Sequence, residues 1–181
     1  MDAIYLDFIN SEFRDFRGRW TRDDLLQPGW LDRFLVRWSL QVNYSCDATM
    51  ITSLVALRTL LQRMTEALVE GQIADDDQAA LNTILRKVPL HRRLLKGREG
   101  YQLEMVPLEK DWNWVQAEIA ASFAHLLISH DYRRLKICAN TNCRWVFYDE
   151  SKSRSRLYCT PDKCANLLKV RRFRESHKHN L

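Results

Sequence analysis

Residues 138–164 read CANTNCRWVFYDESKSRSRLYCTPDKC. Their cysteines follow the pattern C-x4-C-x15-C-x4-C, at Cys138, Cys143, Cys159 and Cys164. Two short cysteine pairs separated by a spacer of this length fit a tetrahedral four-thiolate zinc site. Each pair turns the chain into a knuckle that aims both sulfurs at one ion. Zinc accepts four thiolates without redox chemistry, and four thiolates leave no position for a catalytic water. The implied cofactor is therefore structural Zn2+. Its binding also contributes folding energy, on the order of 10 kcal/mol or more for small sites of this kind.

The residues between the pairs predict a hairpin. Trp145 and Phe147 alternate with Val146 and Tyr148, Asp149 to Ser153 form a turn, and Arg156-Leu157-Tyr158 returns to Cys159. A helix is predicted from Cys164 to about Lys178. At about 100° per residue, Val170, Phe173 and His177 share an edge that would pack on the finger. Arg171, Arg174 and Lys178 share an adjacent side, while Lys169 and Arg172 project elsewhere. Arg144, Lys152, Arg154 and Arg156 add cations along the hairpin, with Ser151, Ser153 and Ser155 between them. Cations interleaved with hydroxyls suit contact with a phosphate backbone, so these nine basic residues are the candidate DNA contacts. A plain solvated surface would read the same way. His177 and His179 are tail residues in this reading, because four sulfurs already complete the site.

Upstream, the pattern is helical. Ile4, Tyr5, Phe8, Ile9 and Phe13 predict a helix from Ile4 to Phe16. Thr21, followed by Asp23 and Asp24, reads as the cap of a short helix that Pro28-Gly29 ends. A further helix carries Trp30, Leu31, Phe34, Leu35 and Trp38. Asp47 caps a long helix to Glu70, with Met50, Ile51, Leu54, Leu57, Leu61, Met64 and Leu68 on one stripe and Gly71 as the stop. Asp75 caps the next, with Ala79, Ala80, Ile84 and Leu85 inward. The alternation in Leu90–Leu108, folded at Arg98-Glu99-Gly100, predicts a β-hairpin. A last helix runs from Glu109 to His130 with Trp112, Val115, Ile119, Phe123, Leu126 and Leu127 inward. Cys46, without a cysteine neighbour, reads as a buried or half-buried thiol.

Composition narrows the class. The chain has 181 residues, 46% hydrophobic, with only five glycines and four prolines. That is too few turn formers for an all-β sandwich, and enough apolar residues for a core without disulfide staples. No apolar run reaches the roughly 18 residues needed to span a bilayer. MDAIYLDFINSEF lacks the basic leader and cleavage site of a signal peptide, which predicts a cytoplasmic protein whose cysteines bind metal. Charge is divided unevenly. Residues 133–181 carry +9 and residues 1–132 carry −4. A basic module on an acidic body suits a protein that meets a polyanion with one end.

RLKICANTNCRWVFYDESKSRSRLYCTPDKCANLLKVRRFR resembles the CGNR zinc finger. That family shows paired cysteines, an aromatic-x-Phe-x-Asp stretch, a Ser/Arg loop, an aromatic residue before the third cysteine, and Cys-Gly-Asn-Arg followed by Ala-Lys. The matching positions are Cys138, Cys143, Phe147, Asp149, Ser151, Arg154, Arg156, Tyr158, Cys159, Cys164, Asn166 and Lys169. Upstream, LDFINSE, Asp24-Leu25-Leu26, the Trp30 helix, the Leu-rich helix and the hairpin are similar, in order, to the ABATE domain that precedes this finger. Ala165 and Leu167 replace the family's glycine and arginine. The zinc ligands are untouched, but Leu167 cannot make an arginine's contact to nucleic acid, a role that Lys169 or Arg171 could take over. The resemblance implies a bacterial stress-induced transcription regulator, with a DNA-binding finger and a sensory helical domain.

Together these readings predict a mainly α protein with a small β-hairpin. A helical regulatory domain spans residues 1–132 and a treble-clef-like four-cysteine finger spans residues 133–181. The expected function is DNA binding in transcription regulation, with no membrane partner. Two alternatives stay open: a zinc-stabilised protein–protein module, including a homodimer, and a sensor for a small-molecule effector without DNA contact. For a ligand pocket the candidates are Asn10, Arg14, Trp30, Trp112 and Trp114. No nucleophile–base pair or phosphate loop is visible in the sequence, so no catalytic residues are assigned and no enzyme is expected.

Overall fold

The computed structural model describes residues 1–98 and 100–178; the side chains of Arg171, Arg172, Glu175 and Lys178 lie outside the description. About half of the chain is helical, and three two-stranded antiparallel sheets accompany the helices.

Helix α5 (Trp112–Ser129) lies at the centre, with α1 (Ile4–Ile9), α3 (Ala48–Glu70) and α4 (Asp75–Arg86) packed around it. Its sequence explains the position. Val115, Ile119, Ala120, Phe123 and Leu126 are fully buried, and Trp112, Trp114 and Ala117 nearly so. A helix apolar over most of its circumference is stable only when covered on several sides. Asp111 caps it by accepting from the Trp114 N–H at 2.9 Å. Helix α3 begins and ends at the predicted residues: Asp47 accepts from the Met50 N–H at 2.8 Å, and Gly71 follows the last turn. Its stripe of Leu54, Leu57, Leu61 and Met64 enters the core. In α4 the deeply buried apolar residue is Leu81, not Ala79, which is exposed; Ala80, Ile84 and Leu85 pack at the core margin. Ala74 precedes α4 without a side-chain cap, and Asp75 is its first residue.

The N-terminal segment departs from the predicted single helix. Helix α1 stops at Ile9, and β1 (Glu12–Arg14) pairs with β2 (Thr21–Asp23). Phe13 has helical spacing from Ile9, but its partners lie elsewhere. It stacks on Trp20 at 5.5 Å and meets the edge of Trp145 at 5.9 Å. Thr21 is a strand residue; Asp23 is the cap, accepting from the Leu25 N–H at the start of a 3-10 turn, Asp24–Leu26. Asp23 also ties this segment to α3. The buried Arg58 guanidinium donates to both Asp23 carboxylate oxygens, at 2.6 and 2.5 Å, and to Ser11 Oγ at 2.9 Å. Helix α2 (Trp30–Arg37) covers the outside of α1 through Phe34, whose ring lies 5.9 Å from that of Phe8.

Strands β3 (Leu90–Gly97) and β4 (Gly100–Pro107) form the predicted hairpin, in register from Leu90 with Pro107 to Gly97 with Gly100. Gly100 has φ +127°, a conformation that favours glycine at the turn. After α5, strands β5 (Leu135–Ile137) and β6 (Val146–Tyr148) pair antiparallel. Helix α6 (Asn166–Lys178) follows a π-helical turn, Pro161–Ala165. Leu135 and Val146 are buried in the same apolar cluster as α1, α3 and α5. Among the described residues no helix is long and apolar enough to cross a membrane.

Candidate metal centre

The first knuckle is the connection between β5 and β6. The ladder continues one pair beyond the strands, where the Cys138 N–H donates to the Trp145 carbonyl at 2.9 Å. Asn140 then turns the chain: its carbonyl accepts from Cys143 at 2.8 Å and from Arg144 at 3.2 Å. Arg144 takes the left-handed conformation, with φ 52°. The second pair comes from the start of the terminal helical segment, Cys159 just before the π-helical turn and Cys164 within it. A hairpin straddling the first knuckle therefore replaces the predicted hairpin between the two knuckles. The stretch after Tyr148 does not return as a strand.

Asp149 organises that stretch. Its buried carboxylate accepts from Lys136 Nζ at 2.7 Å, from the Ser151 N–H and hydroxyl, and from the Arg156 N–H at 3.0 Å. Burial works against its ionisation. The Lys136 ammonium and the Ser151 and Arg156 donors outweigh that and hold the carboxyl well below the usual carboxylate range. Lys136 also donates to the Arg154 and Arg156 carbonyls, and Arg134 to the carbonyls of Asp149 and Ser151. The loop is thus fixed by charge-assisted bonds rather than by strand pairing.

The four sulfurs lie within 4.8 Å of one another, with Cys138, Cys143 and Cys164 buried and Cys159 half-buried. Cys143 and Cys159 are separated by 3.7 Å and Cys159 and Cys164 by 3.8 Å. Zinc–sulfur bonds of about 2.3 Å in a tetrahedron place sulfurs about 3.8 Å apart, so the donor set fits this ion. Hydrogen bonds from Cys143 and Cys159 pull the Cys138 thiol down, and the same contacts push the thiols of Cys143 and Cys159 up. Four sulfurs this close carry four charges only around a cation. Asn140 Nδ2 lies 3.4 Å from Cys164 Sγ and also donates to the Phe16 carbonyl at 2.7 Å, so one side chain links the sulfur cluster to the body. Phe16, Trp145, Phe147 and Tyr158 enclose the cluster.

Three further contacts join finger and body. Asn10 pairs with the Val146 backbone in both directions, and Arg144 forms an ion pair with Glu66 of α3. Gly18, at φ +77°, faces Asn142 so closely that a Cβ would come within 2.8 Å of its side chain. None of these contacts has a local sequence signal. The partners are 136 and 78 residues apart in the two side-chain cases.

Placement of the predicted DNA contacts is mixed. Arg144 is engaged by Glu66. Arg154 pairs with Asp131 at 2.9 Å. Arg156 lies over the Phe147 ring at 4.7 Å and donates to the carbonyls of Tyr158 and Cys159. These three residues thus have partners inside the chain. Lys152, Lys169 and Arg174 are exposed, with no ion-pair partner among the described residues. The side chains of Arg171, Arg172 and Lys178, like His179 as a whole, lie outside the described residues. The edge of α6 expected to pack on the finger does not do so. Val170 and Phe173 are exposed, and Phe173 contacts the His177 ring at 3.9 Å.

The predicted pocket residues do not converge either. Trp30 stacks on Phe34, the Trp112 indole donates to the Tyr44 and Ser45 carbonyls, and the Trp114 indole donates to Glu118. Each is held by its own neighbours in a different part of the body. Asn10 and Arg14 do line one small cavity of about 90 Å³, with Glu12, Gln62, Glu66 and Arg144, at the junction of body and finger.

Comparison with known families matches residues 134–177 to the CGNR zinc finger, and residues 2–130 to ABATE, a family described as "Putative stress-induced transcription regulator". No curated protein matches the chain. The matched body and the clustered cysteines lead to one assignment: this chain belongs to the ABATE family and carries a CGNR zinc finger.

Proposed function

We propose that the protein is a DNA-binding transcription regulator of the bacterial cytoplasm whose finger is built on one structural zinc ion. Cys138, Cys143, Cys159 and Cys164 hold the zinc as thiolates, and four such ligands leave the ion a structural role only. The reading is of a binding protein, without catalytic residues. The observation that carries it is the charge layout around the closed sulfur site. Residues 133–181 carry +9 on a body of −4, and Lys152, Lys169 and Arg174 stand exposed without ion-pair partners among the described residues. Such cations neutralise phosphates, with Arg171, Arg172 and Lys178 as further contacts suggested by the sequence. The helical body has the regulatory role, and a small-molecule effector is part of this proposal.

The test is selection of random duplex DNA by the zinc-loaded protein near physiological salt, beside a Lys152→Ala, Lys169→Ala, Arg174→Ala variant that keeps its zinc. An enriched sequence, weakened in the variant, supports the reading. Absence of DNA retention at low salt overturns it.

The docking of the finger supports a second reading. Asn10, Asn140 and Glu66 bind the finger to the body directly. Zinc in that case serves to fasten the C-terminal segment in place for a protein partner.

A further inference from the structure

The β3–β4 ribbon stands apart from the rest of the fold. Both strands are exposed along nearly their whole length, and their neighbours are chiefly each other. A two-stranded hairpin alone in water is at best marginally stable. This one has eight registered pairs and a pronounced difference between its faces.

Strand alternation sorts the side chains. Leu90 and Leu94 of β3 share a face with Tyr101, Leu103 and Met105 of β4, because Leu94 faces Leu103 and Arg92 faces Met105 across the ladder. The opposite face is more polar, with His91, Gln102 and the Arg93–Glu104 ion pair at 2.9 Å beside Leu95 and Val106. The apolar face is open. Leu94 is 66% exposed, Tyr101 70% and Leu103 65%, with Leu90 and Met105 about half exposed. Together the five present roughly 600 Å², taking about 200 Å² for a fully exposed large side chain. That is the upper end of the largest apolar patch on a typical monomer, about 300–600 Å².

We propose that this ribbon is a dimerisation arm, its Leu94–Leu103 face packed against the same face of a second copy. The area argues for this occupant. Two such faces against each other bury about 1,200 Å², where specific interfaces begin. A two-fold axis lying between the two faces and along the strands makes the contact self-complementary, as a closed dimer requires. The cations of the face also fit. Arg92 and Lys96 lie on it without ion-pair partners among the described residues, and Lys96 is registered opposite Tyr101. Across that axis Lys96 meets the partner's tyrosine ring, an attractive arrangement for a cation and an aromatic face. The inference does not depend on whether the finger meets DNA.

The experiment is sedimentation equilibrium of the full zinc-loaded chain from about 1 to about 200 µM, with amide exchange of residues 90–107 followed over the same range. The expected result is a dimer whose ribbon amides gain protection as concentration rises. Leu94→Glu combined with Leu103→Glu shifts the dimer midpoint at least tenfold upward, while Arg93→Ser on the polar face does not. If the double variant fails to fold, the concentration dependence of amide protection in the unaltered protein decides. A monomer throughout the range overturns the proposal, as does a dimer indifferent to Leu94 and Leu103. Ribbon protection that arises only on anionic phosphatidylserine vesicles, from a monomer, also overturns it and assigns the face to lipid.

Discussion

Asn10 and Val146 exchange two hydrogen bonds: the Val146 N–H donates to Asn10 Oδ1, and Asn10 Nδ2 donates to the Val146 carbonyl, both at 2.9 Å. A side-chain amide at the end of α1 thus acts as an extra strand residue beside β6. Asn10→Ala leaves two buried backbone groups without partners, each costing about 1–3 kcal/mol when unsatisfied. Urea unfolding followed by circular dichroism is expected to show a loss of at least about 1 kcal/mol. An unchanged midpoint would show that water replaces the amide.

Chelating the metal, or Cys164→Ser, is expected to remove one zinc per chain. Leu135 and Val146 lie in the main core, so the damage extends beyond the finger. Thermal unfolding of the metal-free protein should show one transition at lower temperature for finger and body together. Two separate transitions, with the body unmoved, would contradict this coupling.

On DNA, Lys152→Ala, Lys169→Ala and Arg174→Ala are each expected to reduce the salt slope of log K by about 0.9 for every phosphate left unneutralised. Arg154→Ala and Arg144→Ala, whose partners are Asp131 and Glu66, should leave that slope in place. Binding isotherms at several salt concentrations separate the two groups. A slope that falls equally for all five would reassign the ion-paired arginines to DNA.

Arg58 is 3% exposed and bound by Asp23 and Ser11. Arg58→Ala removes one partner of a buried pair and should lower unfolding free energy by about 3–5 kcal/mol. Arg58→Met with Asp23→Asn, which removes both charges, should recover part of that loss. Chemical denaturation of the two variants measures the difference.

Asp149, depressed below the ordinary range by Lys136 and its neighbouring donors, contributes stability at pH values above about 4, where an unfolded aspartate is ionised. That contribution is lost as pH falls through its folded pKa. Carbon-13 titration of its carboxyl group should stay flat from pH 7 to about 4. A midpoint near the ordinary aspartate value would mean that the Lys136 contact does not persist in solution.

The sequence was most legible where structure is local. Asp47 and Gly71 delimit α3 because a cap and a stop act on their own turns. Leu90 to Pro107 alternates because a ribbon has period two. The cysteine spacing revealed the sulfur cluster because both knuckles are short. Phe13 misled because its helical spacing from Ile9 competes with Trp20 and Trp145, partners that only the folded chain brings near. The paired state of Arg144 and Arg154 was hidden for the same reason, since Glu66 and Asp131 belong to other elements. Tryptophans 30, 112 and 114 suggested a pocket by residue type, whereas each fills its own gap in the packing.

Leu135 and Val146, flanking the first knuckle yet seated in the body's core, have a consequence for turnover. If the core and the finger unfold together, metal loss opens the core and leaves no folded, silent apoprotein behind. Proteases act on chains in that opened state. On the proposed zinc reading, metal supply would therefore govern how long the chain survives, with scarcity clearing it instead of storing it.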